Sequence, residues 1–375
     1  MQMSGNLSLY IHIPFCTYKC PYCHFYVIHD KETLKDSLEL ALVKELAMWE
    51  SAISGKKLIS IYFGGGTPTL FGAERIRRTL DAIQKITPIP AECEITVEAN
   101  PENVTLELMR NLHAAGINRV SIGVQSFQDS ELQILGRKHK ASLAEQAILT
   151  THEAGFTNIS IDLMYETPTQ TMSSWEKSLE KIADLPITHL SLYNLTIEPY
   201  TPFAKKESEL RKLMPDDETG AAMYELAIDE LNSLGLKQYE ISAFCKDDLY
   251  SRHNIGYWIG RPFLGLGPSA FSFYDDKRFR NVANLVRYAK MVEAGDSPID
   301  FTEEISKEKR KRELLALHLR LMKGVDLIQL GTLEAETIAT LEKLKEIGLL
   351  VQENSTVRLT QKGIFFYDHV ASELL

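Results

Sequence analysis

Cys16-Thr17-Tyr18-Lys19-Cys20-Pro21-Tyr22-Cys23 sets three thiols in a C-x3-C-x2-C loop directly after an apolar run over residues 7–13. Three cysteines on one short loop can hold three irons of a cubane [4Fe–4S] cluster as thiolates, leaving the fourth iron without a protein ligand. That open iron is a place for chemistry. A structural zinc site would instead be closed by a fourth Cys or His, and His24 and His29 are the only nearby candidates for that role.

Outward from this loop, short β-branched apolar runs alternate with longer amphipathic segments as far as about residue 245, the rhythm of βα units around a parallel sheet. The strand pattern covers 7–13, 58–63, 94–98, 119–124, 158–164, 189–195 and 239–243. The helical pattern covers 34–48, 74–85, 106–115, 143–154, 173–185 and 217–234. Six or seven repeats are too few to close an eight-stranded barrel. The expected fold is therefore α/β, a partial TIM-type (β/α)6-7 barrel with its functional loops at the C-terminal ends of the strands. Cys16 onward, Gly64-Gly65-Gly66-Thr67-Pro68-Thr69, Glu98-Ala99-Asn100-Pro101, Gln125, Asp162 and Asn194 to Glu198 all fall at such ends, so polar and glycine-rich residues gather on one rim.

From about Lys307 the composition shifts. A charged run over 307–313 opens a helix over 314–322, a second helix covers 333–347, and a hairpin of 349–351 and 357–359 follows. The expected organisation is a barrel over 1–245, a connecting segment over 246–305 and a small C-terminal winged-helix-like α+β domain over 306–375. A net charge of −10 without a basic stripe argues against nucleic-acid binding by either part. A hydrophobic content of 44% and a charged content of 25% suit a soluble globular chain. Residues 1–9 carry no signal-like pattern, and no run of about eighteen apolar residues occurs, so no transmembrane segment and a cytoplasmic location are expected. Cys93 and Cys245, isolated from the cluster, read as small buried apolar residues.

The three-cysteine loop with Tyr22 just before its last Cys resembles the signature of the radical S-adenosylmethionine superfamily, and Gly64 to Thr69 resembles that family's glycine-rich segment after the second strand. The resemblance implies that S-adenosylmethionine chelates the open iron through its amino and carboxylate groups. One electron from the cluster then cleaves the sulfonium to a 5′-deoxyadenosyl radical. Glycine would let the backbone approach the methionine ammonium closely.

Along nearly its whole length the text is similar to one branch, the oxygen-independent coproporphyrinogen III oxidase family. The similarity rests on Tyr10 to Cys16, Gly64 to Thr69, Gly123 to Phe127, Leu135 to His139, Ile161 to Leu163 and Leu195 to Pro199. By position it implies that Tyr10, Tyr22, Gly65, Gly66, Thr67, Glu98, Gln125, Arg137 and Asp162 surround S-adenosylmethionine, with Cys16, Cys20 and Cys23 on iron. The side chains suit these roles: a guanidinium pairs with a carboxylate, Glu and Asp take ammonium and hydroxyl donors, and Tyr22 can meet adenine.

Departures sort the branches. The oxidase carries a further Cys two positions after the third, where this chain has Phe25, and a longer segment ahead of its first strand, where only nine residues precede Tyr10. Phe25 instead resembles the haem-chaperone branch, whose H-N-x-x-Y-W haem motif is matched by His253-Asn254-Ile255-Gly256-Tyr257-Trp258. An imidazole can ligate haem iron, and Tyr and Trp offer flat faces to a macrocycle. Tyr165-Glu166-Thr167-Pro168-Thr169-Gln170 departs from both branches, since relatives usually read Gly-Leu-Pro-Gly-Gln, and the two missing glycines leave that loop's path open. Ser242-Ala243-Phe244-Cys245, usually Ser-Asn-Phe-Ala, is altered as well.

The resemblance thus implies a haem chaperone that binds a cluster, S-adenosylmethionine and haem, needs an electron donor, and passes haem to haem-requiring apoproteins. The alternative is an oxygen-independent coproporphyrinogen III dehydrogenase, taking a porphyrinogen substrate and converting two propionates to vinyls.

Overall fold

Strand β1 (Asn6–Ile13) sets the rule for the fold in this computed structural model, which describes residues 5–375. Leu7, Leu9, Ile11 and Ile13 are fully buried, and Ser8, Tyr10 and His12 alternate with them on the opposite face, as a period of two requires. The alternation continues through β2 (Lys57–Gly65), β3 (Glu94–Ala99), β4 (Arg119–Gln125), β5 (Ile159–Tyr165) and β6 (His189–Asn194). Register carries it across the sheet: Tyr10 pairs with Tyr62, Glu98 with Ser121 and Asp162 with Ser191. One face is consequently apolar, and the other is lined with hydroxyls, carboxylates and aromatic rings.

All six strands run parallel. Between them lie α1 (Glu32–Met48), α2 (Ala73–Ile86), α3 (Leu106–Ala114), α4 (Ala141–Glu153) and α5 (Met172–Glu180), and α6 (Asp217–Ser233) follows β6. Leu38, Leu42 and Leu46 of α1 and Ile76, Leu80 and Ile83 of α2 fall at helical spacing and join the apolar face in one core.

The last sheet element differs from the sequence expectation. The run over 239–243 is not a parallel strand: it breaks at Ile241-Ser242 into β7 (Lys237–Glu240) and β8 (Ala243–Cys245), an antiparallel pair that joins β6. A two-residue connection permits only antiparallel pairing. After α7 (Arg252–Trp258), the seventh parallel strand is β9 (Phe263–Leu266), beside β1 at the other edge. β10 (Phe271–Tyr274), β11 (Lys277–Asn281) and β12 (Ile299–Glu304) extend that edge in antiparallel fashion. The order is β12-β11-β10-β9-β1-β2-β3-β4-β5-β6-β8-β7.

Beyond Ser306, helices Lys307–His318, Ala335–Glu346 and Tyr367–Leu374 pack with a sheet of Val325–Asp326, Thr356–Leu359 and Leu350–Glu353. They share a separate core of Leu315, Leu319, Leu341, Leu344, Val357 and Val370. The helix expected as far as 322 ends at His318, because Met322 N–H donates to Tyr239 O and Ile241 N–H to Arg320 O, drawing that stretch onto the β7–β8 hairpin. Cys93 and Cys245 are buried free thiols. Among the described residues no helix is long and apolar enough to cross a membrane.

Candidate functional site

At the C-terminal ends of the parallel strands the rim opens into a cavity of about 440 Å³. Cys16, Cys20, Tyr22, Cys23, Phe25, Gly65, Gly66, Glu98, Gln125, Arg137 and Asp162 all line it. Of the residues singled out in the sequence, Tyr10, Thr67 and His253 stand outside.

The cysteine loop is pinned at both ends. Phe15–Cys16 pairs in parallel with Ile28–His29, and within the loop Cys23 N–H donates to Cys20 O at 3.1 Å. Tyr18 Oη donates to Glu102 Oε1 at 2.6 Å and accepts from Lys138 N–H at 3.1 Å, while Glu102 Oε2 lies 3.3 Å from His139 Nδ1. Against the upward pull of burial, His139 and Tyr18 hold the Glu102 carboxyl down at about 2. Behind the loop, Thr67 Oγ1 sits 3.5 Å from Cys16 Sγ and accepts from Asn100 Nδ2 at 2.9 Å.

Burial pushes the Cys16 thiol up to about 11 and the Cys23 thiol upward as well. Bound iron supplies the charge that makes such thiols thiolates. Among the described residues no three His, Cys, Asp or Glu side chains converge on a single-ion centre. A cubane asks for something different, one thiolate per iron, and three free thiols spread over one cavity wall fit that demand. His24 and His29, the conceivable fourth zinc ligands, are both exposed, and His24 stacks on Phe25 at 4.7 Å.

Two half-buried carboxyls face the loop. Glu98 accepts from Tyr62 Oη at 2.7 Å and from Gly65 N–H at 3.0 Å, and burial, with Asp162 adding repulsion, raises it to about 7. Asp162 accepts from Ser121 Oγ at 3.3 Å and is likewise raised by burial. Such a pair suits a ligand bringing cationic or hydroxyl donors. Gln125 holds φ of 69° where the β4–β5 register shifts, a left-handed backbone in a residue other than glycine that turns its side chain into the cavity.

The glycine run has a more local cause than ligand approach. A Cβ on Gly65 would fall 2.3 Å from the His12 ring, and one on Gly66 would fall 2.7 Å from Phe15 O. These glycines let β2 close against the approach to the cysteine loop.

His253 lies beneath the cavity, 2% exposed, where α7 plugs the barrel. Its Nδ1 is 2.9 Å from Ser60 Oγ and its Nε2 2.8 Å from Tyr257 Oη. Ser60 gives its proton to Ser8 Oγ, so Nδ1–H donates to Ser60 and the Nε2 lone pair accepts from Tyr257. Burial, with Arg261 and Arg119 nearby, lowers the imidazole to about 3 and keeps it neutral. Tyr10 joins this layer, its ring 6.2 Å from Tyr62 and its hydroxyl bonded to His12. Glu94 accepts the N–H groups of Arg252 and His253 at the start of α7, and at its far end Arg320 covers Trp258 at 4.3 Å.

Sequence reasoning missed Ser121 and Tyr193 as cavity-lining residues, and Tyr18, Glu102 and His139 as holders of the loop. Strand parity could have found Ser121 and Tyr193, since Ser121 precedes Gly123 by two and Tyr193 follows Ser191 by two on the polar face. The loop after β5 resolves the question of its missing glycines: Glu166 and Thr169 hold φ of 56° and 68°. The backbone follows a glycine-type path with side chains that resist it.

Comparison with known proteins gives matches to both parts of the chain. The radical SAM superfamily model matches residues 10–182, and the HemN C-terminal domain model matches 305–366. The chain is 34% identical over 362 residues to the haem chaperone HemW of Bacillus subtilis, spanning 95% of this chain and 96% of that protein. It is 32% identical over 371 residues to HemW of Mycobacterium tuberculosis, spanning 98% and 94%. The solved coproporphyrinogen III oxidase HemN of Escherichia coli, described as a radical SAM enzyme, superposes with a TM-score of 0.86 at 24% identity, covering 98% of this chain and 89% of that one.

Proposed function

Because this chain belongs to the HemW family within the radical SAM superfamily, we propose that it is a haem chaperone that carries a [4Fe–4S] cluster and S-adenosylmethionine and delivers haem to apoproteins. The observation that carries the cofactor reading is the shared cavity, in which three thiols, one guanidinium and two half-buried carboxyls meet. When bound and reduced by a donor protein, the cluster supplies the electron that cleaves a sulfonium. Cys16, Cys20 and Cys23 hold it. Arg137 pairs with the cofactor carboxylate, Glu98 and Asp162 take its cationic and hydroxyl donors, and Tyr22 borders its adenine.

Phe25 favours the chaperone over the dehydrogenase. It stands more than half exposed on the cavity wall at 53%, in the slot where the oxidase resemblance calls for a fourth cysteine. Haem reaches His253 in a conformation in which α7 has left the barrel and Tyr257 of the same helix has released Nε2, since the imidazole is otherwise buried against Ser60 with its lone pair taken.

The test reconstitutes the cluster anaerobically and supplies haem or coproporphyrinogen III. The chaperone reading expects a Soret band that is lost in His253→Ala and regained signal on an added apoprotein. Vinyl product with consumption of S-adenosylmethionine would establish the dehydrogenase instead.

A further inference from the structure

Tyr62 touches both functional layers of the molecule. Its hydroxyl donates to Glu98 in the cavity at 2.7 Å, and the opposite end of its influence is the stack of its ring on the His253 imidazole, 4.8 Å between centroids and 30° apart in plane. Among the described residues no other side chain bonds a cavity carboxyl and packs on His253. We infer that Tyr62 couples the cofactor cavity to the plug helix, so that a cationic ligand at Glu98 opposes release of His253. The inference rests on the reading that haem is taken through His253.

The sign follows from the bonds. A cation in the cavity favours ionised Glu98, and an ionised buried carboxylate depends more strongly on its O–H donor than a neutral one does. Tyr62 is that donor, and His253 backs its ring from behind. When α7 leaves, the ring loses this backing together with the neighbouring Ser60–His253 bond, and its hold on Glu98 loosens. A cation above therefore keeps His253 docked below. Linkage makes the effect reciprocal, so haem at His253 weakens the cation's binding by the same factor.

Haem titrations followed by the Soret band, with and without S-adenosylmethionine, on reconstituted wild type and Tyr62→Phe test this directly. S-adenosylmethionine is expected to weaken haem binding about 5-fold or more in wild type, the lower end of ordinary coupling, and to have no measurable effect in Tyr62→Phe, which keeps the ring and loses the donor. Equal weakening in both proteins, or no weakening in wild type, overturns the coupling. Ser60→Ala gives a second route if Tyr62→Phe does not fold: with the Nδ1 acceptor gone, haem affinity without S-adenosylmethionine should rise about 3-fold or more, in line with one lost hydrogen bond, and an unchanged affinity counts against the proposal. The arms separate the two claims. Haem binding that survives His253→Ala removes the ligand assignment and this inference with it, whereas His253-dependent binding indifferent to S-adenosylmethionine removes the coupling alone.

Discussion

The guanidinium of Arg137 reaches the sulfur of Cys20, Nη1 to Sγ at 3.6 Å. Its Nη2 donates to Asn100 Oδ1 at 2.7 Å and to Gly123 O at 2.8 Å, and Nε, buried, has no partner. One side chain thus spans the cysteine loop, the end of β3 and the end of β4, with a donor to spare for an anionic group.

Arg137→Lys keeps the charge and loses the fork. Cluster assembly should survive, because no thiol is removed, while S-adenosylmethionine affinity drops about 10-fold to 100-fold, the worth of a charge-assisted hydrogen bond. Equilibrium dialysis alongside cluster absorbance checks both halves. Unchanged affinity would show that the cofactor carboxylate lies elsewhere.

Cys20→Ala should lower bound iron from about four per chain to well below one and abolish the broad brown absorbance, with thermal unfolding little changed because the loop lies outside the barrel core. Iron analysis after anaerobic reconstitution reads this, and a full cluster would mean the ligand set is wrong.

Glu98 makes two pH predictions. Its carboxyl is raised to about 7 from 4.5 by burial first, with Asp162 opposing ionisation and Tyr62, Gly65 and Arg119 favouring it. The folded protein therefore keeps a proton that the unfolded chain loses between those values. This stabilising contribution is complete below 4.5 and disappears as pH rises through about 7. Melting temperature measured across that window should fall less steeply in Glu98→Gln, though not become flat, because Glu45 is raised to about 7 by its own burial. S-adenosylmethionine, a cation, should bind wild type about 10-fold more tightly at pH 8 than at pH 6, and Glu98→Gln should show no such rise.

Thr169 is exposed, β-branched and held at φ of 68°, with its N–H donating to Leu213 O at 2.6 Å. Left-handed backbone costs such a residue about 1–2 kcal/mol, and glycine's extra freedom when unfolded returns part of that. Thr169→Gly should therefore stabilise the protein by roughly 0.5–1 kcal/mol. A denaturant midpoint that does not rise would show the strain is relieved elsewhere.

Much of the fold was legible because strands and helices announce themselves by period. Leu7, Leu9, Ile11 and Ile13 mark one strand face, and the apolar spacing of α1 and α2 marks the helices laid over it. The seam at Ile241-Ser242 was not legible, since a five-residue run of alternating apolar and polar residues reads the same whether it continues or folds back. The clustering of three thiols on one loop was plain from spacing alone, whereas Tyr18, Glu102 and His139 meet only because strand ends far apart in sequence share one rim.

What the amino-acid text determined by itself was local: which thiols cluster, which runs form strands, and which strand ends carry polar groups. Whether His253 faces a ligand or the inside of a barrel depended on packing: Tyr257, one helical turn on, reaches the imidazole as soon as α7 forms, but Ser60 comes to it only once β2 and α7 are in contact. Tertiary structure alone decided that the carboxyl of Glu98 and the ring of His253 meet at a single tyrosine.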